Sequence, residues 1–356
     1  MREQEGSRRN NFGRGAAGNP KNRFEKIEVQ PDELGEGERR PDTVYLRDHS
    51  RSIVARNDSP DIGFDASVNP YRGCSHGCSY CYARPTHEYL GLSAGLDFES
   101  KVLVKERAPE LLRRELSSPR WEPKVLSMSG VTDPYQPVEG RLGVTRRCLG
   151  VLAEFRNPVA IVTKNHLVTR DADLLSELAR HDAAAVAVSL TTLDDGLRRV
   201  MEPRTSRPVR RLAAVEKLAA AGIPVGVMTA PVIPGLNDHE LPALLCAAAE
   251  AGATFAAYVP VRLPHAVGSI FEDWLERHYP ERKEKVLNRI RSMRGGGLND
   301  ARFGSRMRGE GLVARHIAQL FSISCRRAGI GEGRFPRLST AAFCRDGGTQ
   351  PNLFDR

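Results

Sequence analysis

The sequence predicts an α/β protein in which consecutive strand–helix units form a full or partial parallel (β/α)6 barrel, followed by a helical C-terminal extension. Two observations lead to this prediction. Six short segments are almost entirely apolar, as parallel strands covered on both faces are, and the segments between them carry apolar residues at helical spacing. Right-handed crossovers between such units curl a sheet toward a barrel.

The predicted strands are residues 67–73, 124–129, 159–163, 185–190, 224–229 and 254–259. Helices are predicted between them, for example at 171–180 behind an acidic first turn and at 209–221, where Gly222 ends the pattern. The organisation that follows is a disordered basic tail at 1–25, a polar lead-in at 26–66, a barrel core at 67–265, a basic helical extension at 266–330 and a C-terminal tail at 331–356.

Charge and cysteine content restrict the class of protein. A formal net charge of +9 over 356 residues favours a polyanionic partner such as nucleic acid. The sequence contains no run of 18 apolar residues and begins with a polar segment, which predicts a cytoplasmic protein without a membrane span or secretory signal. Seven cysteines, with three of them clustered, favour reduced thiols over a disulfide framework.

The clustered cysteines are Cys74, Cys78 and Cys81, spaced CxxxCxxC after the first predicted strand. Structural zinc takes four ligands, so three thiols are one short. A 4Fe-4S cluster is also normally held by four cysteines, so a three-thiol loop leaves one iron free for another ligand. An incomplete zinc site that borrows His76 or His87 is the alternative.

Polar residues follow every predicted strand, at the edge where parallel barrels place their functional groups. The second strand leads into Ser129, Gly130, Thr132 and Asp133, and the third into Lys164. The later strands lead into the positions Ser189, Thr191, Glu202, Arg204, Val232, Gly235, Tyr258, Arg262 and His265.

The CxxxCxxC spacing with Tyr80 directly before the last cysteine resembles the signature loop of the radical S-adenosylmethionine (SAM) superfamily. The resemblance implies that Cys74, Cys78 and Cys81 hold a 4Fe-4S cluster whose free iron binds the amino and carboxylate groups of SAM. It also implies reductive cleavage of SAM to methionine and a 5'-deoxyadenosyl radical, with a reductase or flavodoxin-type protein as the electron donor.

The same resemblance implies positions for the SAM contacts. The loop containing Ser129, Gly130, Thr132 and Asp133 is similar to the Gly-rich segment that receives the SAM amino group. Cations for the SAM carboxylate would be Lys164 and Arg204, for which a structural ion pair or a substrate phosphate is the alternative. The remaining contacts would be Ser189 and Glu202 near the ribose and amino group, and Tyr80, Val232, Gly235 and Tyr258 around the adenine.

Within the superfamily, four features together resemble the DNA repair photolyase-like group related to spore photoproduct lyase. They are Tyr82 after the cysteine loop, the loop 132–139, the Thr163-Lys164 pair and the segment Glu202-Pro203-Arg204. The resemblance implies hydrogen abstraction from nucleic acid. The thiol that such a lyase carries near the end of the second strand is missing, because that region reads Ser127, Met128 and Ser129, and Cys148 lies in a predicted helix at 142–155. Radical SAM modification of RNA, protein or a metabolite, and a non-enzymatic metal-binding nucleic-acid module, are the alternatives.

The C-terminal region predicts helices at 271–278 and 281–293, broken at Tyr279-Pro280, and at 312–326. Its cations predict a phosphate-tracking surface or, alternatively, a solvated basic face, and they are Arg282, Lys283, Lys285, Arg289, Arg291, Arg294, Arg302, Arg306 and Arg308. Residues 295–297, all glycine, suggest a mobile lid. The tail residues Gln350, Leu353 and Phe354 resemble the QxxLF peptides that dock on the bacterial sliding clamp.

Overall fold

The computed structural model describes residues 13–25, 42–333 and 335–345. Its main sheet has eight strands in the order β11-β10-β9-β8-β7-β6-β3-β2. The strands of the molecule are β1 Val44–Arg47, β2 Val54–Arg56, β3 Ala66–Val68, β4 Tyr71–Arg72, β5 Lys101–Val104, β6 Leu126–Met128, β7 Val159–Thr163, β8 Ala184–Ser189, β9 Val225–Val232, β10 Phe255–Pro260 and β11 Gly331–Glu332.

Six neighbouring strands, β3 and β6 to β10, run parallel in chain order. They are the six strands that the sequence predicts, so the mostly parallel α/β fold is confirmed. The antiparallel β2 borders β3 and the short β11 borders β10. In the part of the chain that the structure describes, these two edge strands do not pair, and the sheet is an open, partial barrel.

The first predicted strand, 67–73, is wrong in its length. Only β3 joins the main sheet, because Pro70 lacks a backbone donor and interrupts the ladder. After it, β4 pairs with β5 in a separate three-stranded sheet of order β1-β5-β4. The chain therefore turns away from the main sheet just before the cysteine loop begins.

Eleven α-helices accompany the strands in the described residues. They are α1 Leu96–Ser100, α2 Ala108–Ser117, α3 Glu139–Leu142, α4 Val144–Phe155, α5 Ala172–Ala179, α6 Asp195–Met201, α7 Pro208–Ala220, α8 Leu241–Glu250, α9 Ala266–His278, α10 Lys283–Met293 and α11 Gly311–Ala328. The short side chains of β8 are all buried, as expected for a central strand covered on both faces. Apolar faces such as Leu149 and Leu152 of α4 and Leu175 and Leu178 of α5 complete the main core.

The helical extension is packed on the cysteine loop. Phe271 and Trp274 of α9 are buried in a second apolar cluster that also contains Cys78 and Tyr80. The indole of Trp274 donates to the carbonyl of Val200 at 2.9 Å. Burial of these aromatic side chains connects α9 and α10 to the loop that carries the predicted ligands.

Most cations of the predicted basic face have carboxylate partners, some from the same segment and some from other elements. Arg294 is buried and donates to the carbonyls of Pro260 and Val261 at 3.0 and 2.9 Å. Carboxylates lie within 4.0 Å of six of the others, in the pairs Arg282–Glu281, Lys283–Glu276, Arg289–Asp238, Arg291–Glu272, Arg302–Asp300 and Arg306–Asp61. The described residues offer no acidic partner to Lys285 or Arg308.

Two other predictions concern segments that the structure describes only in part or not at all. Residues 13–25 make specific contacts, so the predicted disorder is wrong for them, whereas residues 1–12 and 26–41 lie outside the described residues. The clamp-like positions Gln350, Leu353 and Phe354 also lie outside. No helix among the described residues is both long and apolar enough to cross a membrane.

Candidate active site

Three free cysteines follow β4 in one tight loop. Cys74 and Cys78 are buried and Cys81 is half-buried. Burial and then the charge of Glu202 raise the pKa of Cys78, and burial raises the pKa of Cys81 to about 11. Charge on Cys74 contributes to both of these pKa shifts. A cationic iron–sulfur core would stabilise all three as thiolates, so the donor set fits a cluster held by three protein ligands.

The zinc alternative is not supported by the geometry of the loop. In the described part of the chain, no three Cys, His, Asp or Glu side chains are placed to hold a single ion. Both histidines that could complete a zinc site, His76 and His87, have other partners. His76 Nδ1 lies 3.3 Å from Asp133 Oδ2, and His87 Nε2 lies 2.9 Å from the carbonyl of Lys101.

The cysteine loop is fixed by hydrogen bonds from distant parts of the chain. The amide of Cys74 donates to the carbonyl of Phe98 at 2.9 Å, and the amide of Ser79 donates to Met201 at 3.0 Å. Arg84 Nε donates to the carbonyl of Cys78 at 2.9 Å. These bonds hold the loop backbone at Cys74, Cys78 and Ser79 in place, as a preorganised site requires.

The N-terminal strap, residues 13–25, covers the other side of this loop. The amides of Gly15 and Ala16 donate to the carboxylate of Glu99 at 3.1 and 2.9 Å, and Arg84 donates to the same carboxylate at 3.0 Å. A Cβ at Gly15 would lie 1.8 Å from the carbonyl oxygen of Gly77. Only glycine allows this approach.

Asp133 follows β6 and joins three segments of the site. It accepts hydrogen bonds from the Lys164 amide at 2.8 Å and the Thr163 hydroxyl at 2.7 Å. Burial is the largest single influence and raises the pKa of Asp133, but the charge of His76 together with the hydrogen bonds to Asp133 outweighs it, and this pKa falls below its ordinary value. Burial likewise lowers the pKa of His76, but Asp133 and Cys74 together outweigh it and raise that pKa to about 10. The pair is a buried ion pair beside the cysteine loop.

Glu202 is fully buried between two cations. Its Oε1 accepts hydrogen bonds from Tyr80 and from Thr191 at 2.7 Å and forms an ion pair with Lys164 Nζ at 3.1 Å, and its Oε2 accepts a hydrogen bond from Arg211. Burial raises the pKa of Glu202, but Arg211 and then Lys164 outweigh burial, and the pKa lies well below its ordinary value. Glu202 is therefore a carboxylate without a proton to donate.

Lys164 connects this carboxylate to the ends of two further strands. Its ammonium donates to the hydroxyl of Ser189 at 2.8 Å and to the carbonyl of Ala230 at 3.1 Å, and it lies 5.6 Å from the centroid of the Tyr80 ring. The structure thus brings Tyr80, Lys164, Ser189 and Glu202 together beside the cysteines. We call these four residues the Lys164–Glu202 group.

The loop after β6 lies directly on the cysteine loop. Thr132 Oγ1 donates to the carbonyl of Gly73 at 2.7 Å, and the hydroxyl of Tyr82 donates to the carbonyl of Gly130 at 2.9 Å. Ser129 has φ of 142°, an unusual conformation for a residue with a side chain, and such strain collects at functional sites. Ser129, Gly130, Thr132 and Asp133 therefore share the edge at which the ligands lie.

The other four predicted SAM contacts, Arg204, Tyr258, Val232 and Gly235, lie outside the Lys164–Glu202 group. The guanidinium of Arg204 donates to Thr43 Oγ1 at 3.0 Å, whereas the ion pairs of Glu202 are formed with Lys164 and Arg211. The ring of Tyr258 packs on Phe321 of α11, with centroids 4.6 Å apart. Val232 is buried at the end of β9, and Gly235, at φ of 86°, lies in the turn beside Arg289.

Sequence reasoning missed Arg211 and Glu99. Arg211 lies on α7, and Ser189, Thr205 and Glu202 accept its hydrogen bonds, whereas the neighbouring Arg210 is exposed. Helical position is the only signal that separates the two arginines, since Arg211 falls on the buried side with Val215 and Leu218. Glu99 carries no signal, because the two strap amides that it binds lie more than 80 residues away in the sequence.

Comparisons with known proteins agree with this geometry. Uncharacterized proteins of Mycobacterium tuberculosis and Methanocaldococcus jannaschii are 42% and 28% identical to the chain over 222 residues each, which is 62% of this chain. The aligned part spans 65% of the mycobacterial relative and 79% of the archaeal one.

Solved structures of spore photoproduct lyase share the fold. The complex with dinucleoside spore photoproduct superimposes with a TM-score of 0.58 at 16% identity, over 81% of this chain and 80% of the lyase. The family description "Radical SAM superfamily" matches residues 68–245, which include the cysteine loop, Lys164 and Glu202. This chain belongs to the radical SAM superfamily of enzymes.

Proposed function

We propose that this chain cleaves SAM reductively and that the resulting 5'-deoxyadenosyl radical removes a hydrogen atom from a nucleic-acid substrate. The cysteines Cys74, Cys78 and Cys81 would hold a 4Fe-4S cluster, which when bound supplies one electron to the sulfonium of SAM. One observation carries the proposal: the CxxxCxxC loop is buried against the Lys164–Glu202 group at the carboxyl edge of the sheet. This edge is where parallel barrels bind their ligands.

The polar side chains at this edge suit a zwitterionic nucleoside. Lys164 offers a cation to the SAM carboxylate, and it would exchange one of its present acceptors to do so. Asp133 and Glu202 are ionised and can accept from an amino group. The hydroxyl of Ser189 lies within reach of the same site.

The proposed adenine contacts and the second cation for the SAM carboxylate have other side-chain partners in this structure. Backbone groups at Val232, Gly235 and Tyr258 would flank the adenine together with Tyr80, because the side chain of Tyr258 is engaged by Phe321. Arg204 would have to release Thr43 before it could serve as a cation.

Nucleic acid is favoured as the substrate class by the net charge of +9 and by the motifs shared with the photolyase-like group. Thymine-dimer reversal with a cysteine as hydrogen donor is not proposed. The residues around the end of β6 are Ser127, Met128 and Ser129, and Cys148 is fully buried in α4. Modification of RNA, protein or a metabolite by the same radical is the alternative.

Anaerobic reconstitution tests the proposal. Protein loaded with iron and sulfide and reduced with dithionite is expected to contain about four irons and to convert SAM into methionine and 5'-deoxyadenosine, measured by mass spectrometry. Cys→Ala at position 74, 78 or 81 should abolish both cluster binding and SAM cleavage. The matched control is Cys246→Ala, because Cys246 is exposed on α8.

Two outcomes would contradict the proposal. Zinc without iron or sulfide in the wild-type protein would favour the non-enzymatic metal-binding module. Full SAM cleavage by a cysteine variant would show that the replaced cysteine is not a cluster ligand. Substrate class is then tested with damaged DNA, RNA and peptide pools, by comparing 5'-deoxyadenosine formation with and without each polymer.

We also propose that a reductase or flavodoxin-type protein in the cytoplasm donates the electron.

The tail containing Gln350, Leu353 and Phe354 is proposed to dock on a sliding clamp. This proposal is tested by binding of the full chain to the clamp. Alanine at Leu353 and Phe354 together should abolish binding, whereas Asn352→Ala should not. Unchanged binding by the double variant would reject it.

A further inference from the structure

Two exposed aromatic rings each carry an arginine over one face. Tyr82 is 49% exposed, and the guanidinium carbon of Arg262 lies 5.2 Å from the centroid of its ring. Phe303 is 62% exposed, and the guanidinium carbon of Arg306 lies 4.5 Å from the centroid of its ring. Both distances are within the range of cation–π attraction.

The two pairs are neighbours in space. Buried Arg294 joins their backbones, because it donates to the carbonyl of Val261, next to Arg262, at 2.9 Å and to the carbonyl of Arg306 at 2.8 Å. We call Tyr82, Arg262, Arg306 and Phe303 the aromatic–arginine strip. Tyr82 directly follows Cys81 and donates to Gly130, so the strip leads from the surface to the cysteine loop.

The loop that presents Phe303 is held firmly. Buried Arg294 donates to the carbonyl of Arg306 at 2.8 Å as well as to the end of β10. Asp61 accepts from the amide of Gly304 at 2.7 Å and from Arg306 Nε at 2.6 Å. The ring of Phe303 is therefore fixed in an exposed position, where it contributes little apolar burial to folding.

Charge distinguishes the strip from an ordinary apolar surface. Arg262 has neither a hydrogen-bond acceptor nor a carboxylate within 4.0 Å among the described residues. Arg308, on the same loop, is exposed and likewise without a carboxylate partner there. The strip thus combines Arg306, which is paired with Asp61, and Arg262, which forms no ion pair among the described residues. Exposed aromatic rings beside arginines that can reach a phosphate are features that bind unpaired nucleobases and their phosphates.

We propose that the aromatic–arginine strip binds unpaired bases of single-stranded or locally opened nucleic acid, with a base stacked on Phe303 and a phosphate at Arg262. This inference deepens the proposed function and relies on it for the substrate class. Such a contact would lead one nucleotide past Tyr82 toward the cysteine loop.

Binding of a fluorescein-labelled single-stranded oligonucleotide of mixed sequence to the full chain, followed by anisotropy over a range of salt concentrations, tests the inference. Phe303→Ala should weaken binding roughly 5- to 100-fold, because one stacked base is lost, while the slope of log K against log salt stays unchanged. Phe303→Trp should retain binding. Arg262→Gln should instead reduce that slope by about 0.7, the value for one phosphate contact on a single strand.

Tyr89→Ala is the matched control. Tyr89 is 74% exposed and stacks on Phe24, outside the strip, so its loss should leave binding unchanged. Thermal unfolding of Phe303→Ala should match the wild type, because the ring is exposed. Tyr82 is left unaltered in this test because it adjoins Cys81.

Several outcomes would overturn the inference: no oligonucleotide binding by the wild type, unchanged binding by Phe303→Ala, equal loss in Tyr89→Ala, or preference for an acidic peptide over the oligonucleotide. SAM cleavage without nucleic acid, measured on the same proteins, separates this inference from the proposed function. Cleavage without binding would reject the strip alone. Oligonucleotide binding that depends on Phe303, in a protein that does not cleave SAM, would reject the radical chemistry and support the binding role of the strip.

Discussion

Glu202 combines full burial with cationic partners on both of its oxygens. Removing a charged group from water costs several kcal/mol, and the cost is recovered only when its partners are well placed. Arg211 is the more buried of the two cations and also donates to the carbonyl of Ser189 at 2.9 Å. It therefore fixes Glu202, and through Glu202 the position of Lys164.

Replacement of Arg211 by methionine should lower the free energy of unfolding by about 3–5 kcal/mol, because it leaves a buried carboxylate with one cation fewer. Urea denaturation at neutral pH measures this. The matched control is Arg291→Met, since Arg291 and Glu272 form a surface pair that should contribute less than about 1 kcal/mol. Equal destabilisation by the two variants would contradict the role given to Arg211.

The difference between wild type and Arg211→Met should also depend on pH. A carboxylate whose folded pKa is depressed stabilises the fold above its unfolded pKa, near 4.5 for Glu, and loses this contribution as pH falls through the folded pKa. In the variant, burial is less well opposed and Glu202 takes up a proton at higher pH. The stability gap should therefore narrow on acidification, and a gap that widens would contradict the assignment.

Residue identity explains why sequence reasoning selected Arg204 over Arg211. Arg204 belongs to the recognised segment Glu202-Pro203-Arg204, but its side chain points to Thr43. Arg211 is placed by the turn of α7, which follows from tertiary packing. Local motifs selected Glu202, which the structure buries beside Tyr80 and Lys164, while the arginine that holds it became visible only in three dimensions.

Among the elements, the N-terminal strap is an ordered part of the candidate site although its composition predicts disorder. The sequence of residues 13–25 is polar and rich in glycine and asparagine, which is typical of disorder. Its order comes from Glu99, whose buried carboxylate collects two strap amides and Arg84. Contacts between residues so far apart in sequence leave no local pattern, so composition alone gave the wrong answer.

Gly15→Val should displace the strap, because the new Cβ would overlap the carbonyl of Gly77. In protein free of iron, we expect faster alkylation of Cys74, Cys78 and Cys81 by iodoacetamide, followed by peptide mass spectrometry. The matched control is Gly18→Ala in the same strap, where a Cβ meets nothing within 4 Å. Equal alkylation rates in wild type and Gly15→Val would show that the strap does not shield the thiols.

The strands were predictable for a different reason. Burial on both faces forces a parallel strand to be apolar throughout, and this pattern is local. It located β7 at its exact bounds and β8 within one residue. The bend at Pro70 and the small sheet of β1, β4 and β5 were missed, because a two-residue strand leaves no periodicity to detect.

At the scale of the whole molecule, the helical extension and the barrel form one folded unit. Trp274 in α9 bonds to Val200 beside the cysteine loop, and Arg294 after α10 bonds to the end of β10. Trp121, the other tryptophan of the chain, is buried in the main core and donates to Asn157 at 3.2 Å. The two indoles therefore report on the two apolar clusters separately.

Trp121→Phe and Trp274→Phe each leave one fluorescent reporter. Because hydrogen bonds and packing join the two clusters, fluorescence and far-ultraviolet circular dichroism should give coincident urea transitions within each variant. A fluorescence transition of Trp274 that precedes the loss of secondary structure would instead make the extension a separate unit.

The strap also constrains how the enzyme matures. Its anchoring carboxylate, at position 99, leaves the ribosome after Cys74, Cys78 and Cys81, so residues 13–25 cannot bind Glu99 until all three cysteines have been synthesised. Insertion of the proposed iron–sulfur cluster would then either precede that seating or take place from the side of the loop that faces the Lys164–Glu202 group. An assembly factor would accordingly encounter either an unlatched nascent chain or this opposite face.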